Sequence, residues 1–216
     1  MKTKKRKINV KRVAILIILL LLIIASIVLA VNKLTKKETK TKEIQEVASI
    51  DAYGYTLKDN ATAYYKKLFK ELEKTLNADK VDEEKYSELV AQMFIADFFN
   101  LDNKISKNDV GGKQFVYADY QSDFEKFAMD SMYKSVESDV YNDRNQELPI
   151  VSNVEVTKVG NQNYTYGENS DDNAYVYNFK IEYKDDLGYQ TEGSLILIHN
   201  GQKIEVASMS EKSASE

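Results

Sequence analysis

The chain has 216 residues, no cysteine and a formal net charge of −4 at pH 7. This length suits one domain with its own hydrophobic core, and the lack of cysteine excludes disulfide bridges, thiolate metal sites and thiol nucleophiles. The charge is unevenly distributed, because residues 1–42 carry +11 and the whole-chain −4 therefore leaves −15 for residues 43–216. So acidic a part is repelled by phosphates, which argues against a nucleic-acid partner.

Near the start of the chain, the nineteen residues 13–31 include no charged side chain, and Ser26 is their only polar one. A helix of this length spans about 28 Å, close to the hydrocarbon thickness of a bilayer. Seven Lys or Arg residues precede the run, and five follow it within residues 32–42. Since positive flanks stay in the cytoplasm, we predict one transmembrane helix, a basic cytoplasmic tail at residues 1–12 and an extracytoplasmic C-terminal part.

A cleaved signal peptide is the alternative interpretation of this run, with Val28 and Ala30 as the small residues before the cut. Signal cores usually have about 7 to 15 apolar residues, so the longer run favours a retained anchor. Residues 32–52 are rich in Lys, Thr and Glu and are predicted to be a stalk. The folded domain is predicted at residues 53–209, followed by a disordered tail at residues 210–216.

Two amphipathic helices are predicted next. Apolar residues recur every three or four positions over residues 57–76, which indicates a helix capped by Asp59 or Asn60 and closed by Asn77. Asp82 can cap a second helix, and the apolar stripe of that helix is wide enough to nearly surround it. We therefore expect the second helix to be central.

Adjacent glycines, Gly111 and Gly112, predict a turn after the second helix. No Lys-Ser or Lys-Thr pair follows them, so a phosphate-binding loop is not indicated. A third helix is predicted over residues 119–141, and Pro149 marks the change from helices to strands.

Beyond Pro149 the apolar period becomes two, which predicts four antiparallel strands joined by hairpins. Asn200-Gly201 is the preferred type of two-residue hairpin turn, and the polar residues 160–173 are expected to be the longest loop. The predicted strands are centred on or span residues 154–156, 175–184, 189–198 and 203–209.

Helices followed by an antiparallel meander, over residues 61–209, resemble the nuclear transport factor 2-like (SnoaL-like, cystatin-like) cone fold. With one N-terminal anchor, this order is also similar to the bridging subunit of type IV secretion and conjugation machines. The segments DAYGYTL and NDVGG resemble those of uncharacterised single-pass proteins of low-GC Gram-positive bacteria. The resemblance implies a cone-like domain on a Gram-positive cell membrane, and because it concerns element order it assigns no site residues.

Few residues suggest catalysis. His199 is the only histidine, so any acid/base dyad would have to use it, and its position beside a turn favours a solvated residue at a strand end. Ser194 follows Gly193 in a strand but lacks the strand-to-helix elbow of a serine hydrolase. We predict no catalytic residue.

Clustered acidic residues are the candidates for a bound cation. None of the clusters fits the twelve-residue calcium loop, so ordinary turn chemistry is the favoured interpretation, and no metal site or cofactor is predicted. The third group is at a predicted helix end, where acids are disfavoured, which is the one hint of a cation. The groups are Asp171-Asp172, Asp185-Asp186, and Asp139, Asp143, Asn145 and Glu147.

The second predicted strand carries a row of aromatic residues on one face: Tyr175, Tyr177, Phe179 and Tyr183. This row could line a ligand pocket between the sheet and the helices. The same spacing is typical of the side of a sheet that faces the core. The row therefore has two interpretations, a ligand pocket and the core-facing side of the sheet.

We therefore predict an α+β domain, with three helices packed on a four-stranded antiparallel sheet, held outside the membrane by one helix. Its expected role is non-enzymatic, as an assembly or scaffold component that contacts another protein of the cell envelope. A ligand-binding module with the aromatic pocket is the main alternative, and a hydrolase or isomerase of the cone-fold kind is a weaker one.

Overall fold

The computed structural model describes residues 41–211 and, before them, only Ile23 and residues 25–27, which are helical. Two compact units, residues 1–41 and 42–216, make up the chain. In the first unit, the Ser26 hydroxyl donates a hydrogen bond to the carbonyl of Ile23 at 2.7 Å.

None of the helices within the described residues is both long and apolar enough to cross a membrane. Most of the predicted transmembrane segment, residues 13–31, lies outside the described residues, as does the predicted tail at residues 1–12. Of the predicted disordered tail at residues 210–216, only Ser210 and Glu211 are described, and Ser210 is the last residue of a strand.

The second unit opens with a hairpin, in which β1 (Glu46–Ile50) pairs antiparallel with β2 (Tyr55–Lys58). Tyr55 is fully buried, and its hydroxyl lies 2.6 Å from that of Tyr86. The ordered fold therefore begins earlier than the predicted boundary at residue 53, and part of the predicted stalk belongs to it. The strands are so short that their period of two could not be told from the helical spacing that follows.

Helix α1 (Ala63–Leu76) begins later than predicted, because residues 57–58 belong to β2 and a turn at residues 59–60 follows. Thr62 is its N-cap, not Asp59 or Asn60, and its hydroxyl accepts a hydrogen bond from the Tyr65 amide at 3.1 Å. A single stripe of α1 faces the core: Tyr65, Leu68, Phe69, Leu72 and Leu76.

Helix α2 (Glu83–Phe98) is capped by Asp82, as predicted, through a 3.0 Å hydrogen bond from the Lys85 amide. Ten of its sixteen residues are buried, which confirms that it is the central helix.

Helix α3 (Gln121–Asp130) is shorter than the predicted helix over residues 119–141. The Ser131 hydroxyl donates to the carbonyl of Phe127 at 2.6 Å, a side-chain bond that competes with helix continuation. Just beyond it, Tyr133 is fully buried and its hydroxyl donates to the carbonyl of Phe98 at 2.6 Å. Burial of Tyr133 draws the chain into the core, so the helix ends.

Four strands form the main sheet, in the order β3-β4-β5-β6, with every pair antiparallel. This confirms the predicted meander. The strands are β3 (Val151–Tyr166), β4 (Asn169–Tyr183), β5 (Glu192–Asn200) and β6 (Lys203–Ser210). The last hairpin turns at Gly201 and Gln202, one residue later than predicted.

The segment 160–173 is not a loop, because β3 and β4 continue through it as a paired arm that turns only after Tyr166. Most side chains of the arm are exposed on both faces. Since neither face is buried, the sequence shows no apolar alternation there, although the backbone ladder persists.

Helix α2 packs against the inner face of the sheet. Ser87 on the helix lies 2.7 Å from the Tyr177 hydroxyl on β4, and the rings of Phe99 and Phe179 are 6.0 Å apart. The unit is therefore an α+β fold, with helices against a four-stranded antiparallel sheet.

Candidate functional site

The predicted aromatic row lies in the hydrophobic core. Tyr175, Tyr177 and Phe179 are 6%, 2% and 1% exposed, and Tyr183 is partly buried against the same core. Burial raises the pKa of Tyr177 to about 12. None of these four residues lines the cavities described below, and a pocket at this row stays a prediction.

His199 is held between two carboxylates instead of being fully solvated. Its Nδ1 atom lies 2.8 Å from Asp171 Oδ2 and its Nε2 atom 3.5 Å from Glu83 Oε1. The backbone amide of His199 also donates to Asp171 Oδ2, at 2.8 Å. Burial opposes ionisation of Asp171, but the hydrogen bonds from His199 and Asn173 outweigh it and lower the pKa of that carboxyl. These contacts attach the β3–β4 arm to the end of β5.

Ser194 is in the middle of the sheet, paired in register with Asn178 on β4 and with Ser210 on β6. A strand interior offers no sharp turn to present a nucleophile. Ser194 is therefore not on the strand-to-helix turn that presents the nucleophile of a serine hydrolase.

Among the acidic residues predicted near a helix end, Asp139 binds a cationic side chain of the chain itself. Asp139 accepts a 2.7 Å ion pair from Lys42 and a 3.2 Å hydrogen bond from the Arg144 amide. The hydrogen bond from Lys42 is the main cause of the lowered pKa of Asp139. Asp186 accepts from the Gly188 amide at 3.0 Å, which is turn chemistry. Within the described residues, no group of three or more His, Asp or Glu side chains is placed to hold a metal ion.

A cleft of about 420 Å³, the polar cleft, lies between β2, the start of α1, the end of α2 and the loop that follows α2. Lys104 Nζ donates to Asp97 Oδ1 at 2.5 Å, and the Gly112 amide donates to Asp97 Oδ2 at 2.7 Å. The Lys104 side chain is only 5% exposed and that of Asp97 26%. Burial opposes ionisation of Asp97, but the Lys104 ammonium outweighs it and lowers the pKa of the carboxyl.

Gly111 and Gly112 allow the loop to approach α2 at this point. A Cβ atom on Gly111 would lie 2.2 Å from the backbone oxygen of Asp97. Gly112 has φ of +77°, and its Cβ would lie 2.9 Å from the Phe94 ring. The adjacent glycines predicted a turn, but their close approach to α2 beside the polar cleft could not be predicted from the sequence.

Further ion pairs and amides complete the polar cleft. Lys58 pairs with Asp109 at 3.3 Å, and Lys113 pairs with Glu125 at 2.8 Å. Gln114 joins the hairpin to α1, because its Oε1 accepts from the Thr56 amide at 2.8 Å and its Nε2 donates to the Tyr65 hydroxyl at 2.9 Å. Several elements of the fold therefore contribute contacts to the cleft.

A second cavity, the apolar groove, has a volume of about 280 Å³ and runs between α3 and β6, the last strand of the sheet. Phe127 lies beside it and is 70% exposed, although it is a large apolar residue. The lining is Phe94, Val116, Tyr120, Asp123, Phe124, Phe127, Val206, Ala207, Ser208 and Met209.

Comparison with protein-family models, with curated proteins and with solved structures gives no match.

Proposed function

We propose that this chain is a membrane-tethered, non-enzymatic assembly domain of the cell envelope. In this proposal the apolar groove binds a short extended segment of another envelope protein, a segment that combines apolar residues with Lys or Arg. The observation that carries the proposal is the 70% exposure of Phe127 beside a groove lined mainly by apolar side chains.

The position of the groove supports binding of an extended segment. β6 is an end strand of the sheet, and along its outer side Val206 already forms a parallel bridge with Val116. The Tyr117 amide donates to the Val206 carbonyl at 3.0 Å. Extended chain therefore already lies against this edge, and partner strands commonly bind beside such an edge with their side chains in adjacent pockets.

Charge supports a basic partner. Asp123 lines the groove with its side chain 87% exposed. Its 3.1 Å pair with Lys126 is also exposed and is therefore weak. Residues 43–216 carry −15. A second copy of the chain would bring the same negative charge to the interface, so self-association there is opposed. A segment with Lys or Arg would be attracted, and its apolar residues would cover Phe127.

The tether and its orientation are supported by the sequence. The length of the apolar run, nineteen residues, suits a retained helix. Seven Lys or Arg residues precede the run and five follow it, which favours a domain outside the cytoplasm. A helix of this kind raises the effective concentration of the domain for neighbouring proteins. The order of helices and then a four-stranded meander supports a relation to the cone-fold bridging subunits of secretion machines.

Photocrosslinking tests the binding proposal. A photoreactive phenylalanine analogue at position 127, in intact cells, should give one defined adduct whose crosslinked peptide combines apolar residues with Lys or Arg. The same analogue at Tyr141, which is 53% exposed but does not line the groove, is the matched control and should not give this adduct. Adding Asp123→Lys should lower the yield about fivefold, through like-charge repulsion of about 1 kcal/mol.

Two outcomes of the crosslinking would contradict the proposal. One is an adduct to a second copy of the chain, and the other is an equal yield from positions 127 and 141. An acidic crosslinked peptide, unaffected by Asp123→Lys, would remove the charge argument.

Labelling of introduced cysteines tests the orientation, because the chain has no cysteine of its own. Glu168 is exposed at the end of the β3–β4 arm, and Thr3 precedes the apolar run. A membrane-impermeant maleimide should label the Glu168→Cys variant in intact cells and the Thr3→Cys variant only after permeabilisation. The opposite pattern would place the domain in the cytoplasm and exclude the envelope role.

A further inference from the structure

Asn60, on the wall of the polar cleft, has a side-chain oxygen to which no described residue donates a hydrogen bond. Its Nδ2 atom donates to the Asn103 carbonyl at 2.8 Å, and Asn103 Nδ2 donates back to the Asn60 carbonyl at 3.2 Å. This exchange fixes which side-chain atom of Asn60 is nitrogen. The Oδ1 atom is buried and has no partner among the described residues. A buried acceptor left in this way costs about 1–3 kcal/mol, so a molecule in the cleft that donates to it would gain affinity.

Two other groups on the same cleft, the Tyr65 hydroxyl and the Lys104 ammonium, have protons to donate and need an acceptor. The Tyr65 hydroxyl accepts from Gln114 Nε2 at 2.9 Å, and within the described part of the chain its own proton has no acceptor. Lys104 uses one of its three ammonium protons on Asp97, at 2.5 Å, and the others have no acceptor among the described residues. The cleft therefore offers one acceptor and several donors that have no partner within the described part of the chain.

The charges of the cleft cancel. Its walls carry three lysines and three carboxylates, and each lysine is paired with a carboxylate at 3.3 Å or less. An ionic ligand would have to break one of these pairs without gaining a net attraction. An uncharged ligand would not.

We infer that the polar cleft binds a small uncharged ligand that carries a secondary amide. The N–H of such a group donates to Asn60 Oδ1, and its carbonyl oxygen accepts from Tyr65 and Lys104. A volume of about 420 Å³ is in the range of small-ligand sites. The peptide unit and the N-acetyl group of an amino sugar both provide this chemistry. The inference is independent of the proposed function, because the cleft and the apolar groove share no lining residue.

The test is a titration of probe molecules into the full chain in nanodiscs. Binding is measured by ligand-observed saturation-transfer NMR. The two amide probes are N-acetylglucosamine and N-acetylalanine methylamide. The amide-free controls are glucose and the ester methyl O-acetyllactate, in which oxygen replaces both amide N–H groups. At least one amide probe should bind with a measurable Kd while the amide-free controls do not, and the probe that binds identifies the source of the amide. The Kd should change less than about twofold between low and high salt, because the cleft has no net charge.

Variants locate the binding. Tyr65→Phe and Asn60→Ala should each raise the Kd about three- to tenfold, the effect of one lost hydrogen bond. The matched controls should leave the Kd unchanged. Tyr64→Phe removes a neighbouring hydroxyl that bonds the Val154 backbone, and Asn161→Ala removes an amide that donates to the Asn173 carbonyl in the β3–β4 arm.

The inference is overturned if neither amide probe binds. It is equally overturned if glucose or the ester binds as well as the amide probes, or if Tyr65→Phe and Asn60→Ala change the Kd no more than their controls. Tyr65→Phe keeps the ring in the core, so it gives the decisive result if Asn60→Ala loosens the loop.

Discussion

The Gly111→Ala variant is expected to lose about 3 kcal/mol of unfolding free energy, a large part of the stability of an ordinary domain. The added methyl group would lie 2.2 Å from the Asp97 backbone oxygen and 2.7 Å from Lys104 Nζ. A backbone atom of the central helix cannot move aside without disturbing the core, so the loop must retreat from α2. The loss of unfolding free energy is measured by urea unfolding of the full chain in micelles, with the near-UV circular dichroism of tyrosine as the signal.

Gly160→Ala is the matched control for this prediction. Gly160 is in a strand, has no positive φ, and a Cβ atom there would meet nothing within 4 Å. Its substitution should change stability by less than about 0.5 kcal/mol. Equal stability of the two variants would mean that the loop does not contact α2 as described.

Lys104→Met is the second substitution with a large expected effect, a loss of about 3 kcal/mol at neutral pH. The variant leaves the Asp97 carboxylate without its cation, and burial then raises the pKa of Asp97. We expect the lower end of the range for broken buried pairs, because the Asp97 side chain retains 26% exposure. Lys85→Met is the control, since the Lys85–Glu88 pair has side chains 41% and 35% exposed and contributes little.

The pH dependence should differ in sign between the two proteins. In the natural chain the pKa of Asp97 is lowered, so its stabilising contribution is present above the ordinary carboxyl pKa and is lost as pH falls through the lowered one. In Lys104→Met the pKa is raised, so stability should increase as pH falls from 7 through that value. The two stabilities should therefore converge toward about pH 3. A constant difference from pH 7 to pH 3 would contradict the role given to the ion pair.

Long regular patterns in this sequence predicted structure well. The boundaries of α2 follow from Asp82 and from an apolar stripe that a central helix alone can bury. The meander follows from alternation in β4 and from the Asn200-Gly201 pair, which predicted the last hairpin turn to within one residue. In both cases one physical cause, burial of a defined face, acts over many consecutive residues.

Elements that are short, or that bury neither face, were missed because no defined face is buried over many consecutive residues. The β3–β4 arm buries neither face, so its strands resemble a polar loop. The end of α3 depends on Tyr133 reaching the Phe98 carbonyl, a contact between positions 35 residues apart in the sequence. No local pattern reports such a contact.

The candidate sites were harder to predict than the fold. Asp97, Lys104 and Asn60 come from three separate segments, and none belongs to a recognisable motif. The clearest sequence signal was Gly111-Gly112, because adjacent glycines often mark a close backbone approach. Recognising what they approach required the structure.

The β3–β4 arm is attached to the rest of the domain at few positions, so its local stability should be lower than that of the core. Tyr166 packs into a small cluster with Ala174 and Ile198, and Asp171 holds the backbone and ring of His199. The Tyr117 ring also packs on that of Tyr166 at 5.1 Å, but most other side chains of the arm are exposed. Its amide hydrogens should therefore exchange with solvent through a partial opening that releases Tyr166 and Asp171 together, whereas those of the strands beneath α2 exchange only when the whole domain unfolds.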